Sequence, residues 1–120
     1  MIEINLFRNS RDKRTLETGE VLFVEGDHGE HMFAVIEGEL ELTLHGAHIE
    51  SIGPGGVIGE LALIDAAPRS ASARATVPTT VAVVDKAHFT FLVQEHPTFA
   101  LMVMAVMAER LRRHTEHIAD

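Results

Sequence analysis

All nine glycines of this 120-residue chain lie between Gly19 and Gly59, so the second half of the sequence contains none. From Glu20 to about Val84, turn signals separate short apolar runs. Such spacing is typical of antiparallel strands in a sandwich or barrel, and not of alternating strand–helix units. The sequence therefore predicts a mainly β fold with flanking helices.

The clearest predicted strand is Met32–Leu44, in which apolar residues fall mostly at even positions. Glu37, Glu39 and Glu41 occupy the alternate positions. A period of two indicates one buried face and one solvated face. We interpret the glutamates as a solvated surface, with a partner-binding surface as the alternative. A predicted hairpin turn at His45–His48 then returns the chain.

Two helices are predicted in the glycine-free part, at Lys86–Gln94 and Pro97–His117. The second contains ten consecutive apolar residues, Phe99–Ala108. A helix that is apolar on all sides must be covered on all sides, and this run is too short to span a bilayer. We expect one face to pack on the β-domain and the other to form a homodimer. A wholly intramolecular core helix is the alternative.

Length and composition exclude several functions. The chain predicts one domain, 1–120, with an N-terminal segment at about 1–18, a β-region at 19–85 and C-terminal helices at 86–120. Its net charge of −8 argues against direct DNA binding. The absence of cysteine excludes thiolate chemistry. Without a membrane-spanning run or a secretory signal, we expect a cytoplasmic protein that does not enter a membrane.

Metal-dependent and hydrolytic functions find little support in the motifs. No G-x-S-x-G sequence is present. A lone carboxylate such as Glu60, without metal ligands, is poorly equipped to hydrolyse a phosphodiester. We predict no catalytic residue, no metal, no cofactor and no enzymatic activity. The alternative, a metal site, would use histidine pairs that share one spacing: His28/His31, His45/His48 and His114/His117.

The stretch Gly53–Ala75 has the features of an anion site. Its glycines let the backbone approach a ligand closely, and Gly59–Ala62 could open a short helix whose N–H groups favour anions. Arg69 could place a bidentate guanidinium on the same anion. The stretch lacks the Gly-Lys-Ser/Thr of a Walker loop, and Ile58 stands where a dinucleotide fingerprint requires glycine. A phosphate site of another kind is therefore indicated.

The motifs Gly59-Glu60-Leu61-Ala62-Leu63 and Pro68-Arg69-Ser70-Ala71-Ser72 together resemble the phosphate-binding cassette of cyclic nucleotide-binding domains. That family includes the bacterial catabolite activator protein and the regulatory subunits of cyclic-AMP-dependent protein kinase. The resemblance runs from about Thr15 to Arg113. It implies an antiparallel β-roll, or jelly roll (a double-stranded β-helix), with C-terminal helices.

The resemblance also implies roles for the cassette residues. The position of Glu60 accepts a hydrogen bond from the ribose 2′-OH, which selects ribose over deoxyribose. The position of Arg69 pairs with the cyclic phosphate. Backbone N–H groups at Leu61 or Ala62 and near Ser70 complete the phosphate shell, and the Ser70 hydroxyl is a further donor.

The base contacts implied by the resemblance lie on the C-terminal helix. In catabolite activator-like members a polar pair on this helix caps the purine, sometimes across a dimer. Aligning Arg110 and the leucine after it with the Arg-Leu of that helix places His114 and Thr115 at the pair. Arg110 is a further candidate contact. We interpret Arg112 and Arg113 as a solvated helix end.

Together these features predict a non-enzymatic sensor of a 3′,5′-cyclic nucleotide, with cyclic AMP favoured over cyclic GMP. Ligand would shift the C-terminal helix between two packings and act on an unknown effector protein. A stand-alone sensor and a domain excised from a larger protein are both compatible with the sequence. The alternative function is an interaction or dimerisation module that keeps the fold without nucleotide binding.

Overall fold

The computed structural model describes residue 7, residues 12–65 and residues 67–119, with side chains described as far as residue 112. The strands are β1 (Lys13–Leu16), β2 (Val21–Phe23), β3 (Met32–Glu37), β4 (Leu40–Leu44), β5 (Ala47–Ile52), β6 (Val57–Ile58), β7 (Ser72–Ala75) and β8 (Thr79–Val84). The helices are α1 (Leu61–Ile64), α2 (Lys86–Glu95) and α3 (Pro97–Ala119).

The eight strands form two four-stranded sheets. One sheet has the order β1-β8-β3-β6 and the other the order β2-β7-β4-β5, and every pairing is antiparallel. The predicted mainly β fold with C-terminal helices is confirmed. Strand β1 lies within the segment that the sequence assigned to the region before the β-roll.

The sheet that contains β3 is buried on both faces. Phe33 and Val35 contribute to a core between the two sheets. Met32 and Ala34 contribute to a second core, against the helices. The prediction of one wet face is therefore wrong for this strand, because the face of Phe33 and Val35, which the alternation assigned to solvent, packs against the other sheet.

The predicted strand Met32–Leu44 is two strands that belong to different sheets. The chain leaves β3 at Gly38, whose φ of 94° lies in the left-handed region, and enters β4 in the opposite sheet. The following hairpin is as predicted, with a turn at His45 and Gly46 between β4 and β5. Glycine at position 38 thus allows the crossing that joins the two sheets.

The acidic face of β4 is engaged by neighbouring side chains. Glu41 accepts a hydrogen bond from Arg74 Nε at 3.0 Å and lies 2.8 Å from the ring nitrogen of His48. These two hydrogen bonds, that of His48 first, lower the pKa of Glu41. Glu39 accepts from the Thr76 hydroxyl at 2.8 Å. Glu39 and Glu41 are therefore paired with residues of β5, β7 or the turn after β7, whereas Glu37 belongs to β3 in the other sheet.

Asp85 caps the N-terminus of α2, because its side chain accepts a hydrogen bond from the His88 amide at 2.8 Å. Helix α3 begins at Pro97, as predicted. In the described part of the chain no single helix is long and apolar enough to cross a bilayer. Helix α2 and the first part of α3 meet that test only together, as a pair bent by 119°.

One side of α3 packs on the β-roll and the other side does not. Phe99 and Val103 are buried in the core against sheet β1-β8-β3-β6. Leu101 and Met104 are 65% and 54% exposed. The prediction that the β-domain covers only one face of this apolar segment is therefore confirmed.

Replacing Gly38 with alanine tests the crossing between the sheets. A Cβ at this position would overlap Thr79 and the Pro78 carbonyl oxygen, in addition to the strain of the positive φ. We expect Gly38→Ala to lower the free energy of unfolding by about 3 kcal/mol, measured by urea denaturation. The control is Gly46→Ala, where φ is 83° but no atom lies within 4 Å of the added carbon. That variant should lose only about 1 kcal/mol, and equal losses would contradict the packing argument.

Candidate functional site

Arg69 follows α1 and precedes β7, and it is only 8% exposed. Its Nη2 donates a hydrogen bond to the His31 carbonyl at 2.9 Å, and its Nη1 donates to the Gly59 carbonyl at 3.3 Å. Its guanidinium carbon lies 4.4 Å from the centre of the Phe23 ring, which is cation–π distance. Its Nε is buried with no hydrogen-bond partner among the described residues.

Two glycines make room for this guanidinium. A Cβ at Gly29 would overlap the guanidinium of Arg69, and a Cβ at Gly59 would lie 2.6 Å from its Nη1. Main-chain hydrogen bonds also tie the loop before β3 to Arg69. The Gly26 amide donates to the Arg69 carbonyl, and the Arg69 amide donates to the Asp27 carbonyl, each at 2.8 Å. The cradle is therefore shaped by backbone on both sides.

Burial lowers the pKa of Arg69, because removing a cation from water disfavours its charged form. The negative charges of Asp27 and Glu60 act in the opposite direction. A guanidinium keeps its charge at neutral pH despite such a shift, because its ordinary pKa lies far above neutrality. Arg69 is thus a buried cation with one donor atom, Nε, that has no described partner.

The structure brings Glu60, Gly59 and Arg69 together at the start of α1. Glu60 is 4% exposed and precedes the four-residue helix. The Ala62 amide donates to the Gly59 carbonyl at 3.2 Å, so this predicted phosphate donor is used within the turn. Leu61 and Ser70, one in each of the two cassette motifs, lie at exposed positions.

Arg110 on α3 reaches the same carboxylate. Its Nη1 donates to both oxygens of Glu60, at 2.9 and 3.1 Å, and its Nη2 donates to the Val57 carbonyl at 2.7 Å. Its Nε donates to Glu50 Oε1 at 3.2 Å. Glu50 was not predicted as a site residue, because nothing near it in sequence indicates a partner 60 residues away.

The other residues predicted on α3 divide into two groups. Arg112 is exposed and pairs with Glu109 at 2.8 Å, in agreement with its interpretation as part of a solvated helix end. The backbone of α3 passes through positions 113, 114 and 115, but the side chains of Arg113, His114 and Thr115 lie outside the described part. Their predicted roles therefore stay predictions.

A cavity of about 510 Å³ lies between α3 and the β5–β6 turn. Arg110, Glu50 and Glu109 contribute its charged lining, and Met102 and Val106 are among its apolar lining residues. Arg69 does not line it. Arg110 connects this cavity with Glu60, because its side chain lines the cavity and also donates a hydrogen bond to the Glu60 carboxylate. The volume is in the range of small-molecule sites.

The alternative prediction of a metal site is not supported by any cluster of metal-ligating side chains in the described part of the chain. No group of three or more His, Cys, Asp or Glu side chains is arranged there to hold an ion. His28 and His45 each lie next to one glutamate, Glu30 at 3.7 Å and Glu25 at 3.5 Å, and both rings are largely exposed.

Comparison with known proteins defines the class to which this fold and site correspond. The sequence model of the cyclic nucleotide-binding domain matches residues 13–96, which include both cassette motifs. The chain belongs to the family of cyclic nucleotide-binding domains. The resemblance carried by residues 59–63 and 68–72 is therefore confirmed.

Individual relatives agree with this assignment. The chain is 35% identical over 80 residues to a cAMP-dependent protein kinase regulatory subunit of Yarrowia lipolytica, covering 67% of this chain and 21% of that protein. It is 30% identical over 115 residues to the Cyclic AMP receptor protein of Thermus thermophilus, covering 92% of this chain and 53% of that one.

A solved structure supports the same fold. The crystal structure of the Thermus thermophilus Catabolite Activator Protein superposes with a TM-score of 0.77 at 29% identity. The superposition covers 89% of this chain and 53% of that one. The chain thus spans about half, or less, of the length of these relatives. The predicted β-roll with C-terminal helices is confirmed.

Replacing Arg110 with methionine tests the ion pair at Glu60. The change leaves a buried carboxylate without its cation, so we expect a loss of about 2 kcal/mol in the free energy of unfolding. In the Glu60→Gln background the same substitution should cost less than half as much, because the unpaired charge is gone. The control is Arg112→Met, which removes an exposed pair and should cost under about 0.5 kcal/mol. Similar losses at both arginines, measured by urea denaturation, would contradict the assigned importance of the Glu60 pair.

Proposed function

We propose that this chain binds a 3′,5′-cyclic nucleotide and has no enzymatic activity of its own. The observation that carries the proposal is the buried guanidinium of Arg69, whose Nε has no described hydrogen-bond partner. Gly29 and Gly59 leave the space that this guanidinium occupies. A buried donor without an acceptor is costly, and an anion in the cradle would satisfy it. The family match supports the same ligand class.

In this proposal Arg69 binds the cyclic phosphate and Glu60 accepts a hydrogen bond from the ribose 2′-OH. Leu61 and Ser70 are the proposed additional donors, through the backbone amide of the first and the hydroxyl of the second. Ala62 would contribute by packing, because its amide already donates to Gly59. A carboxylate accepts several hydrogen bonds, so Glu60 could keep Arg110 while it binds the ribose.

We place the base on the α3 side of Glu60, near Arg110 and the positions of His114 and Thr115. Cyclic AMP is the favoured ligand over cyclic GMP, and support comes from relatives whose names refer to cyclic AMP. The cavity beside Arg110 provides apolar surface for a purine.

Signalling in this proposal proceeds through α3. Arg110 joins this helix to the ribose-binding carboxylate, so a ligand at Glu60 changes the contacts that hold α3. A ligand shifts such an equilibrium only by its difference in affinity for the two helix positions. The effector that responds is an unidentified protein. A cytoplasmic location, the domain limits and the absence of direct DNA binding stay predictions.

The exposed side of α3 supports a homodimer. Leu101, Met104, Ala108 and Leu111 are exposed and follow one another at steps of three, four and three residues. This is the spacing of a coiled-coil seam. A second copy of the helix would cover these side chains, and both copies would contribute the same face.

A second candidate function is an interaction or dimerisation module without nucleotide binding. The Glu60 carboxylate already has Arg110 as a partner, which favours this alternative. The buried and incompletely bonded Arg69 favours the first, because a module without ligand has no need to bury a cation in this way.

Calorimetric titration with cyclic AMP and cyclic GMP tests the proposed function. We expect micromolar or tighter binding of at least one nucleotide, and a loss of at least about 100-fold on Arg69→Lys, because lysine lacks the planar fork. Arg74→Lys, on the exposed face of β7, is the control and should bind as the wild type does. Circular dichroism checks that each variant folds. No binding by the folded wild type would refute the proposal and support the interaction module.

The role of Glu60 is tested with 2′-deoxy cyclic AMP. We expect the wild type to bind this analogue at least about tenfold more weakly than cyclic AMP, because a hydrogen bond to a buried carboxylate is lost. In Glu60→Ala the two ligands should bind equally. A wild type that does not distinguish them would contradict the ribose assignment.

The dimer is tested by light scattering at tens of micromolar. We expect twice the chain mass of 13.2 kDa for the wild type and a single chain for Met104→Asp, because a charge enters the apolar seam. Phe91→Asp, at an equally exposed apolar position on α2, is the control and should stay dimeric. A monomeric wild type would refute the dimer.

A further inference from the structure

The Arg69 guanidinium lies close to two aromatic rings. Its central carbon is 4.4 Å from the centre of the Phe23 ring and 5.6 Å from the centre of the Phe33 ring. The three side chains belong to residues that are at most 9% exposed, so water screens these contacts little. A cation is attracted by the negative charge of a ring face, and most strongly where both are desolvated. Phe23 therefore makes the closer aromatic contact with the proposed phosphate-binding residue.

An irregularity in β2 directs Phe23 into this position. Consecutive side chains of a regular strand point to opposite faces of the sheet. In β2, however, Leu22 and Phe23 are both buried in the core between the two sheets. The register of the β2–β7 pairing shifts between Val21 and Phe23. Such a shift re-aims a side chain, and the re-aimed ring is the one that contacts Arg69.

A ring face holds Arg69 in a different way from a hydrogen-bond acceptor. The carbonyls of His31 and Gly59 each accept one N–H from an Nη atom of the guanidinium. A carboxylate in place of the ring would bind further N–H groups, because it accepts several hydrogen bonds. Phe23 has no acceptor atom, and Nε is left without a partner among the described residues. The ring thus stabilises the cation without using a donor that a ligand anion needs.

We propose that Phe23 is a positioning residue of the site: its ring holds the Arg69 guanidinium in the cradle with a free donor available to the ligand phosphate. This inference rests on the proposed function. When the contact is weakened, the guanidinium occupies the cradle for less of the time. The apparent affinity then falls in proportion to the fraction of molecules that are competent to bind. Phe23 acts on the ligand through Arg69.

Fluorination of the Phe23 ring tests this role, because each fluorine withdraws charge from the ring face and changes the size of the ring little. Phenylalanine with one, two or three fluorines is incorporated at position 23, and the affinity for the more tightly bound of cyclic AMP and cyclic GMP is measured by calorimetry. We expect the affinity to fall with each fluorine, by about three- to tenfold in total, which is the range of a desolvated cation–π contact. Phe23→Leu, without a ring, should lose at least as much.

The same series at two other phenylalanines separates ring charge from packing. At Phe33, whose ring lies further from the guanidinium, the loss should be smaller. Phe89 contacts the Phe99 ring edge-on at 5.6 Å and, in the described part of the chain, contacts no arginine. Fluorination at Phe89 alters an aromatic contact of similar kind, so it should leave the affinity within about twofold of the wild type.

The free protein provides a measurement that does not depend on ligand. The midpoint of thermal unfolding should fall along the series at position 23 in the wild type, by about 2–5 °C with three fluorines. In the Arg69→Met background it should not fall, because the cation is absent. A role of Phe23 in packing alone would give the same change in both backgrounds.

The outcomes distinguish this inference from the proposed function. An affinity that falls along the series at Phe23, less at Phe33 and not at Phe89 supports the inference. If the wild type binds a nucleotide and fluorination at Phe23 leaves the affinity unchanged or raises it, the inference is overturned and the proposed function stands. An equal loss at Phe89, or an equal fall of the midpoint in Arg69→Met, overturns it as well. If the folded wild type binds neither nucleotide, both are overturned.

Discussion

The burial of the Arg69 guanidinium is the constraint on which the arrangement around the site depends. A buried cation is costly unless polar groups replace its water, and here the carbonyls of His31 and Gly59 and the face of Phe23 do so. These groups come from the end of β2, the start of β3 and the turn before α1. Their convergence leaves no space for a side chain at Gly29. One guanidinium thus explains why three distant segments meet and why glycine stands between them.

Arg110 plays a different part, because its charge is matched by carboxylates and its side chain is only partly buried. It does not shape the β-roll. It fixes α3 to β5, β6 and the residue before α1, at a point beyond the apolar contacts of Phe99 and Val103. The helix is therefore held by packing near its beginning and by electrostatics further along. The two kinds of contact respond to different changes, since only the second involves a residue of the proposed ligand site.

The sequence predicted those features that depend on local pattern or on a compact motif. Glycine spacing indicated the antiparallel sheets, and the step from Glu60 to Arg69 indicated the cassette. Alternation in Met32–Leu44 was misleading, because a strand covered by helices on one face and by a sheet on the other has no wet side. The contact between Glu50 and Arg110 could not be predicted from one sequence, because it joins residues 60 positions apart and depends on the angle at which α3 leaves α2.

The attachment of α3 has a geometric consequence. Among the residues of α3 whose side chains are described, Val103 is the last one that is buried. Arg110 lies seven residues further, about 10 Å along the helix axis at 1.5 Å per residue. The helical backbone continues to residue 119, about 24 Å from Val103. A rigid helix that pivots about Val103 therefore moves its far end more than twice as far as it moves Arg110. If α3 moves on ligand binding as proposed, it would therefore act as a lever with a short input arm at the carboxylates and a long output arm.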